Sequence, residues 1–328
     1  MSTVRTLTRL VAPDLLSIED LSPAEMSGLF ELAALVKARP VEFRSTLSGK
    51  QLVLIFEKPS LRTRLTFEVG ITSLGGHAIF YDQTRARLDA REALPDIARN
   101  LERWVDIIVL RTYAHHTITE MAAHAAVPVI NALSDREHPC QALADYFTLQ
   151  ERFGDLRSLK LAFVGDGNNV AHSLLLAAAR LGTSISVATP PGFEPAPAIV
   201  AAATEMARET GARVEVTHDW QAAVAGAQAV YTDVWASMGQ EEEAEARRRV
   251  FAPYQVNEAL LEQAAPEAVF LHCLPAHRGD EVTDEVIDSP RSLVFEQAEN
   301  RLHVQKALLL LLLSNGRRRR GKERDARP

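Results

Sequence analysis

Hydroxyl and guanidinium side chains crowd the stretch FEKPSLRTRLTFEVG, residues 56–70, directly after the apolar run LVLIF. Ser60 precedes a helical pattern, with Arg62 and Thr63 in its first turn, and the free N–H groups and dipole of a helix start attract anions. Taken alone, the stretch fits a serine N-cap flanked by surface arginines equally well. Arg111, which follows another apolar run, favours a phosphate or carboxylate pocket.

Polar side chains follow six of the apolar runs that we predict to be strands. The runs and the residues after them are LVLIF–EKPSLRTR, DIIVL–R, VPVI–NALSDREHPCQ, LAFV–GDGNN, AVYT–DVWASMG and AVFL–HCLPAHRGD. Open parallel sheets bind ligands beyond the carboxyl ends of their strands. The six runs therefore predict a cleft between two domains, lined by cationic, amide, carboxylate and thiol groups.

Three of these runs offer specific chemistry, each beside a more ordinary interpretation. HPCQALADYF places His138 and Gln141 three residues apart at a helix start, where both can donate to a carbonyl oxygen, although His138 alone fits a structural role better. Asp233 in DVWASMG offers a carboxylate to a substrate ammonium or is a turn residue. Cys273 in HCLP offers a thiol with no assignable partner, and a buried inert cysteine is the usual alternative.

Other site types are weakly supported by the sequence. GDGNN follows a strand as a nucleotide-binding turn would, but it lacks the G-x-G-x-x-G spacing. The ten histidines and two cysteines show no metal-ligand spacing, so we predict no metal site. A G-x-S-x-G elbow of the hydrolase type is also missing.

Alternation of apolar strands with helical patterns predicts two α/β domains, each a parallel sheet flanked by helices. A helix begins at Ser22-Pro23, and further helices fit 61–74, 92–103, 116–125 and 139–152. Predicted strands cover 52–56, 77–81, 106–110, 127–130, 159–164, 184–188, 213–217, 228–232, 268–271 and 292–295. We place the boundary near residue 150, giving domains 1–150 and 151–299, with the C-terminal helix in 300–328 packing back on the first.

Bulk composition excludes several classes of protein. The net charge of −7 argues against nucleic-acid binding by the body of the chain, and we interpret the basic C-terminal run as a solvated tail. Two distant cysteines and no secretory signal indicate a cytoplasmic protein. The apolar run at 307–313 is too short to span a membrane and fits a buried part of the last helix.

Taken together, SLRTR, HPCQALADYFTL, DVWASMGQE and HCLPAHRGDEV resemble the motifs of the aspartate/ornithine transcarbamylase family, and the last two resemble its ornithine branch. The resemblance covers nearly the whole chain, from DLLSIEDLSPAEM to QAENRLHVQKALL. It implies transfer of the carbamoyl group of carbamoyl phosphate to the δ-amine of L-ornithine, with no metal or organic cofactor. It also implies a homotrimer with active sites at subunit interfaces, and leaves further assembly of trimers open.

The resemblance also implies residue roles. Carbamoyl phosphate would be bound by Ser60, Leu61, Arg62, Thr63, Arg87, Arg111, His138, Gln141 and Arg301. Ornithine would be bound by Asn169, Asp233, Ser237, Met238, Cys273 and Leu274. The catalytic set would be Arg62, Arg111, His138, Asp233 and Cys273.

Two positions depart from the family pattern. Leu61 replaces a threonine of the phosphate motif, and Arg87 occupies the position of a glutamine in a loop that reaches the neighbouring subunit's site. These departures leave open a sibling transcarbamylase acting on a modified ornithine or another amine. Alternatives of other classes are a non-catalytic paralogue that binds phosphate ligands and a nucleotide-dependent dehydrogenase that uses GDGNN.

Overall fold

The computed structural model describes residues 10–236 and 243–314, which form two parallel β-sheets flanked by helices. The strands are β1 (Gln51–Phe56), β2 (His77–Asp82), β3 (Ile107–Arg111), β4 (Val129–Leu133), β5 (Lys160–Val164), β6 (Ser184–Ala188), β7 (Val214–Thr217), β8 (Ala229–Thr232) and β9 (Val269–His272). The first sheet has the order β2-β1-β3-β4 and the second β7-β6-β5-β8-β9. Every strand pair is parallel, which confirms the predicted fold class.

Helices fill the connections between the strands. They are α1 (Pro23–Ala38), α2 (Leu61–Ser73), α3 (Leu94–Leu101), α4 (His115–His124), α5 (Pro139–Phe153), α6 (Asn169–Leu181), α7 (Pro197–Thr210), α8 (Trp220–Val224), α9 (Ala244–Phe251), α10 (Glu258–Leu261), α11 (Asp284–Ile287) and α12 (Val294–Ser314). The predicted capping box of α1 is present, with Ser22 and Glu25 each bonded to the other's backbone. Among the described residues, no helix has the length and apolarity that crossing a membrane requires.

The strand order of each sheet fixes where a cleft opens. In the first sheet, β2 is added on one side of β1 and β3 on the other, so the strand order reverses between β1 and β3. In the second sheet, β6 and β7 are added on one side of β5 and β8 on the other, so the order reverses between β5 and β8. The loops after the two strands at such a switch point diverge to opposite faces and leave a crevice between them. Four of the six polar runs follow β1, β3, β5 and β8, so the topology brings them to the two crevices.

The last helix joins the two halves of the molecule. α12 packs against α1, α2 and α5 around the first sheet, and it also contacts β9 of the second. Gly70 of α2 faces α12, since a Cβ there would lie 3.4 Å from Cγ of Lys306, an ordinary contact distance. The apolar run of α12 from Ala307 to Leu312 is buried in the main core, as predicted.

Two local predictions are wrong. Residues 292–295 do not form a strand, because Ser292 makes only an isolated bridge to Phe270 and α12 begins at Val294. A short apolar run fits a strand and a helix start equally well. The run 77–81 is a strand but not a buried one, since β2 lies at the sheet edge with exposed side chains. The predicted helix at 61–74 is confirmed as α2, whose buried face carries Phe67 and Ile71 while Leu61, Leu65 and Val69 are exposed.

Candidate active site

A single cleft of ≈ 860 Å³ lies where the carboxyl ends of the two sheets face each other. It is lined by twelve of the residues predicted from the sequence, namely Ser60, Leu61, Arg62, Thr63, Arg111, His138, Gln141, Asn169, Asp233, Cys273, Leu274 and Arg301. They come from the loops after six strands and from α12, so folding gathers groups that are far apart in the chain. Ser237 and Met238 lie outside the described residues.

The N-terminus of α2 forms one wall of the cleft. Ser60 is its N-cap, and the Ser60 hydroxyl accepts a hydrogen bond of 3.2 Å from the Thr63 backbone N–H. The remaining N–H groups of the first turn have no partners within the helix and are available to an anion. Arg62 is half-buried beside them, and burial lowers the pKa of its guanidinium. The N-cap interpretation of Ser60 is confirmed, and because the capped helix opens onto the cleft, phosphate binding at this residue stays a prediction.

Three guanidiniums converge on this wall. Arg111 ends β3, is only 7% exposed, and has a pKa lowered to about 10 by burial and by the charges of Arg301 and Arg62. Its Nε is buried and has no hydrogen-bond partner among the described residues. Like charges held together in a desolvated place are unfavourable unless an anion compensates them. This corner of the cleft therefore favours an anionic ligand.

Arg301 is oriented by contacts that cross the cleft wall. One of its terminal nitrogens donates to the Gln141 side-chain oxygen, and the other donates to the Thr63 hydroxyl at 3.1 Å. Gln141 in turn donates to Asp145 at 2.7 Å, so its amide orientation is fixed with the oxygen toward Arg301. The helices α2, α5 and α12 thus hold the guanidinium in one position.

His138 lies at the N-terminus of α5 and is buried in the same corner. Burial and the charges of Arg301 and Arg111 hold its pKa well below the usual value. Its imidazole is therefore neutral, and Nδ1 has no partner within the described ranges. The His138 backbone N–H donates to the Ser173 hydroxyl of α6 at 2.9 Å, which ties the residue to the second sheet's helices. A neutral imidazole can donate one hydrogen bond to a carbonyl oxygen without adding positive charge.

The opposite wall carries a carboxylate–thiol pair. The Cys273 thiol donates to Oδ1 of Asp233 at 2.9 Å, and the Asn168 amide donates to Oδ2 at 2.8 Å. Burial, together with the charge of Asp233, raises the pKa of Cys273 well above its usual value, so the sulfur stays protonated. Sequence reasoning found both residues but not this contact, because β8 and β9 bring them together only in the folded sheet.

Asn168, not predicted as a site residue, holds Asp233, whereas the predicted Asn169 donates to the Ser134 backbone oxygen at 2.6 Å. Both asparagines line the cleft. The asparagine directly before α6 was the signal available in the sequence, because Asn is favoured at a helix N-cap, and Asn168 does accept from the Val170 N–H. A second missed pair is Arg247 and Asp166, which form a buried ion pair at 3.1 Å in the same cleft.

The described residues contain one cluster of residue types that can bind a metal ion, and its hydrogen bonds argue against a metal site. Asp233, His272 and Cys273 have ligand atoms within 4.8 Å of one another. Both ring nitrogens of His272 are already used, since Nδ1 accepts from the Leu274 N–H at 2.8 Å and Nε2 donates to Glu281 at 3.1 Å. The thiol also donates to the carboxylate, so this donor set is organised by hydrogen bonds and does not fit an ion.

Of the two positions that depart from the family pattern, Leu61 lies at the cleft and Arg87 lies outside it. Leu61 is the first residue of α2 and its side chain is largely exposed at the cleft rim, so it offers the site its backbone N–H. Arg87 does not line the cleft of its own chain but a separate hollow beside Tyr113. Glu57 anchors this loop by accepting from the Leu88 and Tyr113 N–H groups at 2.7 and 2.9 Å.

Comparisons with known proteins agree with this geometry. Residues 13–151 match the family model of the carbamoyl-P binding domain of aspartate/ornithine carbamoyltransferase, and residues 157–312 match that of its Asp/Orn binding domain. The chain is 52% identical over 307 residues to an ornithine carbamoyltransferase of Anoxybacillus flavithermus, covering 93% of this chain and 98% of the relative. It is 50% identical over 309 residues to an anabolic ornithine carbamoyltransferase of Pyrococcus furiosus, covering 93% and 97%. The solved ornithine carbamoyltransferase structure from Pyrococcus furiosus superposes with a TM-score of 0.90 at 49% identity, over 94% of this chain and 99% of that one.

Proposed function

The chain belongs to the aspartate/ornithine carbamoyltransferase family, and from that premise we propose that it converts carbamoyl phosphate and L-ornithine into L-citrulline and phosphate. One observation carries the proposal. Three guanidiniums and a neutral imidazole face a carboxylate–thiol pair across one cleft, so a doubly charged phosphate ester and an amine-bearing amino acid fit its two walls.

Carbamoyl phosphate binds at the cationic wall. The phosphate accepts from the free N–H groups of Ser60, Leu61 and Arg62 at the start of α2, from the Thr63 hydroxyl, and from the guanidiniums of Arg62 and Arg111. The carbonyl oxygen accepts from the His138 imidazole and from Arg111. Desolvation of the guanidiniums strengthens each contact, because opposite charges interact more strongly away from water.

Ornithine binds at the opposite wall with its δ-amine toward the carbonyl carbon. Asn169, Asp233, Ser237 and Met238 hold the amino-acid end, and Cys273 and Leu274 line the path of the amine. A free alkylamine has a pKa of about 10.4, so it must lose a proton before it can attack. The cationic neighbourhood and the dry cleft favour this loss.

Attack forms a C–N bond and a tetrahedral oxyanion, which Arg62, Thr63, Arg111 and His138 stabilise electrostatically. The C–O bond to phosphate then breaks, and the proton that the amine gives up ends on the phosphate. Arg301 closes on the anion from α12. Holding both substrates in contact in a water-poor cleft supplies much of the rate enhancement.

The substrates divide between two domains in this proposal. Residues 1–150, with the C-terminal helix packed on them, bind carbamoyl phosphate, and residues 151–299 bind ornithine. The family models that match 13–151 and 157–312 support this division.

A homotrimer in the cytoplasm is the proposed physiological form. Exposed apolar side chains on α2 and β2 support an interface between copies, and Arg87, which lies outside its own chain's cleft, would serve a neighbour's. The two free cysteines support a reducing compartment. The anabolic Pyrococcus relative supports a role in arginine biosynthesis.

A citrulline assay with carbamoyl phosphate and a panel of amines tests the proposal. We expect turnover with L-ornithine and little with acetylornithine or putrescine, and a reaction without protein serves as the blank. Product with acetylornithine or putrescine but not with ornithine would replace the assigned substrate. No product with any amine would favour the non-catalytic alternative.

A further inference from the structure

Gln297, in the first turn of α12, is buried at 1% exposure and does not line the cleft. Its side-chain oxygen accepts from the His272 backbone N–H at 3.0 Å, immediately before Cys273. Its amide nitrogen donates to Oδ1 of Asp145 at 2.6 Å and to the Tyr231 hydroxyl at 3.2 Å. One amide therefore joins α12 to α5, β8 and β9.

The contacts of Gln297 continue to the anion end of the cleft. The Asp145 oxygen that accepts from Gln297 also accepts from Gln141 at 2.7 Å. The Gln141 oxygen accepts from Arg301, which donates to Thr63 at 3.1 Å. An unbroken line of buried hydrogen bonds thus runs from the loop that carries Cys273 to the phosphate cradle of α2.

The order of donors and acceptors along this line depends on an amide at position 297. The oxygen must accept from a backbone N–H that cannot reverse, and the nitrogen must donate to a carboxylate. Because the Gln297 nitrogen donates to Asp145, the Asp145 carboxylate acts as an acceptor and also accepts from the Gln141 nitrogen. The Gln141 oxygen therefore points away from Asp145 and accepts from Arg301. A buried polar group without its partner costs more than an exposed one, so each contact restricts the next.

We propose that Gln297 is a positioning residue that couples the carbamoyl-phosphate end of the site to the amine end. Occupation of the anion cradle fixes Arg301 and Gln141, and through Asp145 and Gln297 it fixes the His272–Cys273 backbone against which the amine binds. The inference rests on the proposed function, because it assumes that these two substrates occupy the two walls. In this proposal, residues that lie outside the cleft make ornithine binding depend on carbamoyl phosphate binding.

Binding thermodynamics test the coupling without catalysis. L-Norvaline, which has the ornithine backbone without the δ-amine, is titrated calorimetrically into the full chain with and without carbamoyl phosphate. The ratio of the two dissociation constants is the coupling factor, which is about 5–150-fold for linked sites. We expect the isosteric Gln297→Met to lower this factor by about fivefold or more. If the wild-type protein binds neither ligand, the proposed function fails. If the wild type binds both ligands and the Gln297→Met variant has the same coupling factor as the wild type, the proposed function stands and the inference fails.

Asn300→Leu is the matched control on the same helix. Asn300 is buried and donates to Thr148 and Glu151 at 2.9 and 2.7 Å, away from the line of bonds described above. It loses buried hydrogen bonds as Gln297→Met does, so a purely structural effect would lower both coupling factors alike. We expect Asn300→Leu to keep the wild-type coupling factor within about twofold.

Gln297→Glu supplies an independent arm if the methionine variant does not fold. Two carboxyls at this distance share one proton, and the groups facing the pair are Asp145 of α5, Tyr231 of β8, the His272 N–H of β9 and Arg301 of α12. The variant keeps its coupling while the pair holds the proton and loses it as the pH rises. We expect the ratio of variant to wild-type coupling to fall with increasing pH. A ratio that stays constant across the pH range overturns the proposal.

Discussion

Mutual proximity of Arg62, Arg111 and Arg301 is the main feature of the site at the scale of single residues. Each has a pKa lowered by burial, and the charges of the other two lower that of Arg111 further. This arrangement is costly in the empty cleft and favourable once an anion is bound. The phosphate of the proposed substrate would supply such an anion.

Replacement of Arg62 by alanine should remove one stabilising donor from the tetrahedral intermediate. We expect kcat to fall by about 10²–10³-fold, the usual effect of losing one such group. Thermal unfolding should change little, because the Arg62 guanidinium has no hydrogen-bond partner among the described residues and alanine keeps the backbone oxygen that accepts from the Thr66 hydroxyl. Steady-state kinetics and circular dichroism melts measure the two effects, with exposed Arg99→Ala on α3 as the control. Wild-type turnover in Arg62→Ala would remove the residue from the mechanism.

Cys273 should act as a hydrogen-bond donor to Asp233. Cys273→Ala removes the donor, so we expect KM for ornithine to rise about tenfold while KM for carbamoyl phosphate stays within about twofold. Cys273→Ser keeps a donor and should retain ornithine binding within about threefold. Initial-rate kinetics with each substrate varied separately distinguish the cases. Equal losses in the alanine and serine variants would indicate that sulfur packing, and not donation, is what matters.

The raised pKa of Cys273 predicts its reactivity. Thiolate is the form that reacts with iodoacetamide, so alkylation should be slow near pH 7 and accelerate only above the usual thiol range of about 8.5. Cys140 is also buried, and burial raises its pKa to about 12, so it should not react faster. Peptide mass spectrometry after timed labelling measures each site. Rapid labelling of Cys273 at neutral pH would contradict the described thiol–carboxylate contact.

At the scale of elements, Glu137 is the junction between the two halves of the fold. It lies in the turn between β4 and α5 and accepts from the Ser17 hydroxyl at 2.5 Å, the Ile18 N–H at 3.0 Å and the Ser173 hydroxyl at 3.3 Å. The N-terminal segment, the turn that carries His138 and helix α6 therefore meet at one carboxylate. Burial raises the pKa of Glu137 from 4.5 to about 7.

The raised pKa of Glu137 gives stability a defined pH dependence. Because its folded pKa exceeds its unfolded one, its contribution is fully present below about pH 4.5 and is lost as the pH rises through about 7. Relative to Glu137→Gln, which does not titrate, the wild type should lose on the order of 3 kcal/mol of unfolding free energy across this window. Urea melts at several pH values measure the difference. Exposed Glu42→Gln is the control, and a pH-independent difference for Glu137→Gln would contradict the assignment.

At the scale of the whole molecule, one surface is apolar and is not covered by any element within residues 10–236 and 243–314. Leu61, Leu65 and Val69 of α2 are 69%, 46% and 49% exposed, and Ile79 and Tyr81 of the neighbouring edge strand are also exposed. Contiguous apolar patches on otherwise polar proteins commonly mark association sites. This surface is where we expect copies of the chain to meet.

Introducing negative charge into this apolar patch should dissociate the assembly. We expect the double variant Leu65→Glu/Val69→Glu to shift from a trimer to the mass of one chain in light scattering coupled to size exclusion. Activity should fall with it, since Arg87 would no longer reach a neighbour's cleft. Val250→Glu, an exposed apolar position on α9, is the control and should stay trimeric. A monomeric wild type, or a trimeric double variant, would rule out this interface.

The sequence by itself determined the alternation of strands and helices and the polar groups at the strand ends. These follow from local rules: apolar runs form strands in parallel sheets, and Ser22 and Ser60 cap helices wherever their chain neighbours permit. The polar runs at the strand ends contain eleven of the twelve predicted residues that line the cleft, and Arg301 was predicted from the family resemblance alone. Short-range ambiguity explains the exception at 292–295, where a strand and a helix start look alike.

Only the tertiary structure decided which groups touch. The Cys273–Asp233 contact, the Asn168–Asp233 contact and the line of hydrogen bonds from Gln297 to Thr63 join residues that are about 40 to 240 positions apart in the chain. Strand register and helix crossing set these distances, and neither is encoded in any local window. The pKa values of Arg111, His138 and Cys273 depend on the same packing, because desolvation exists only once the chain has folded.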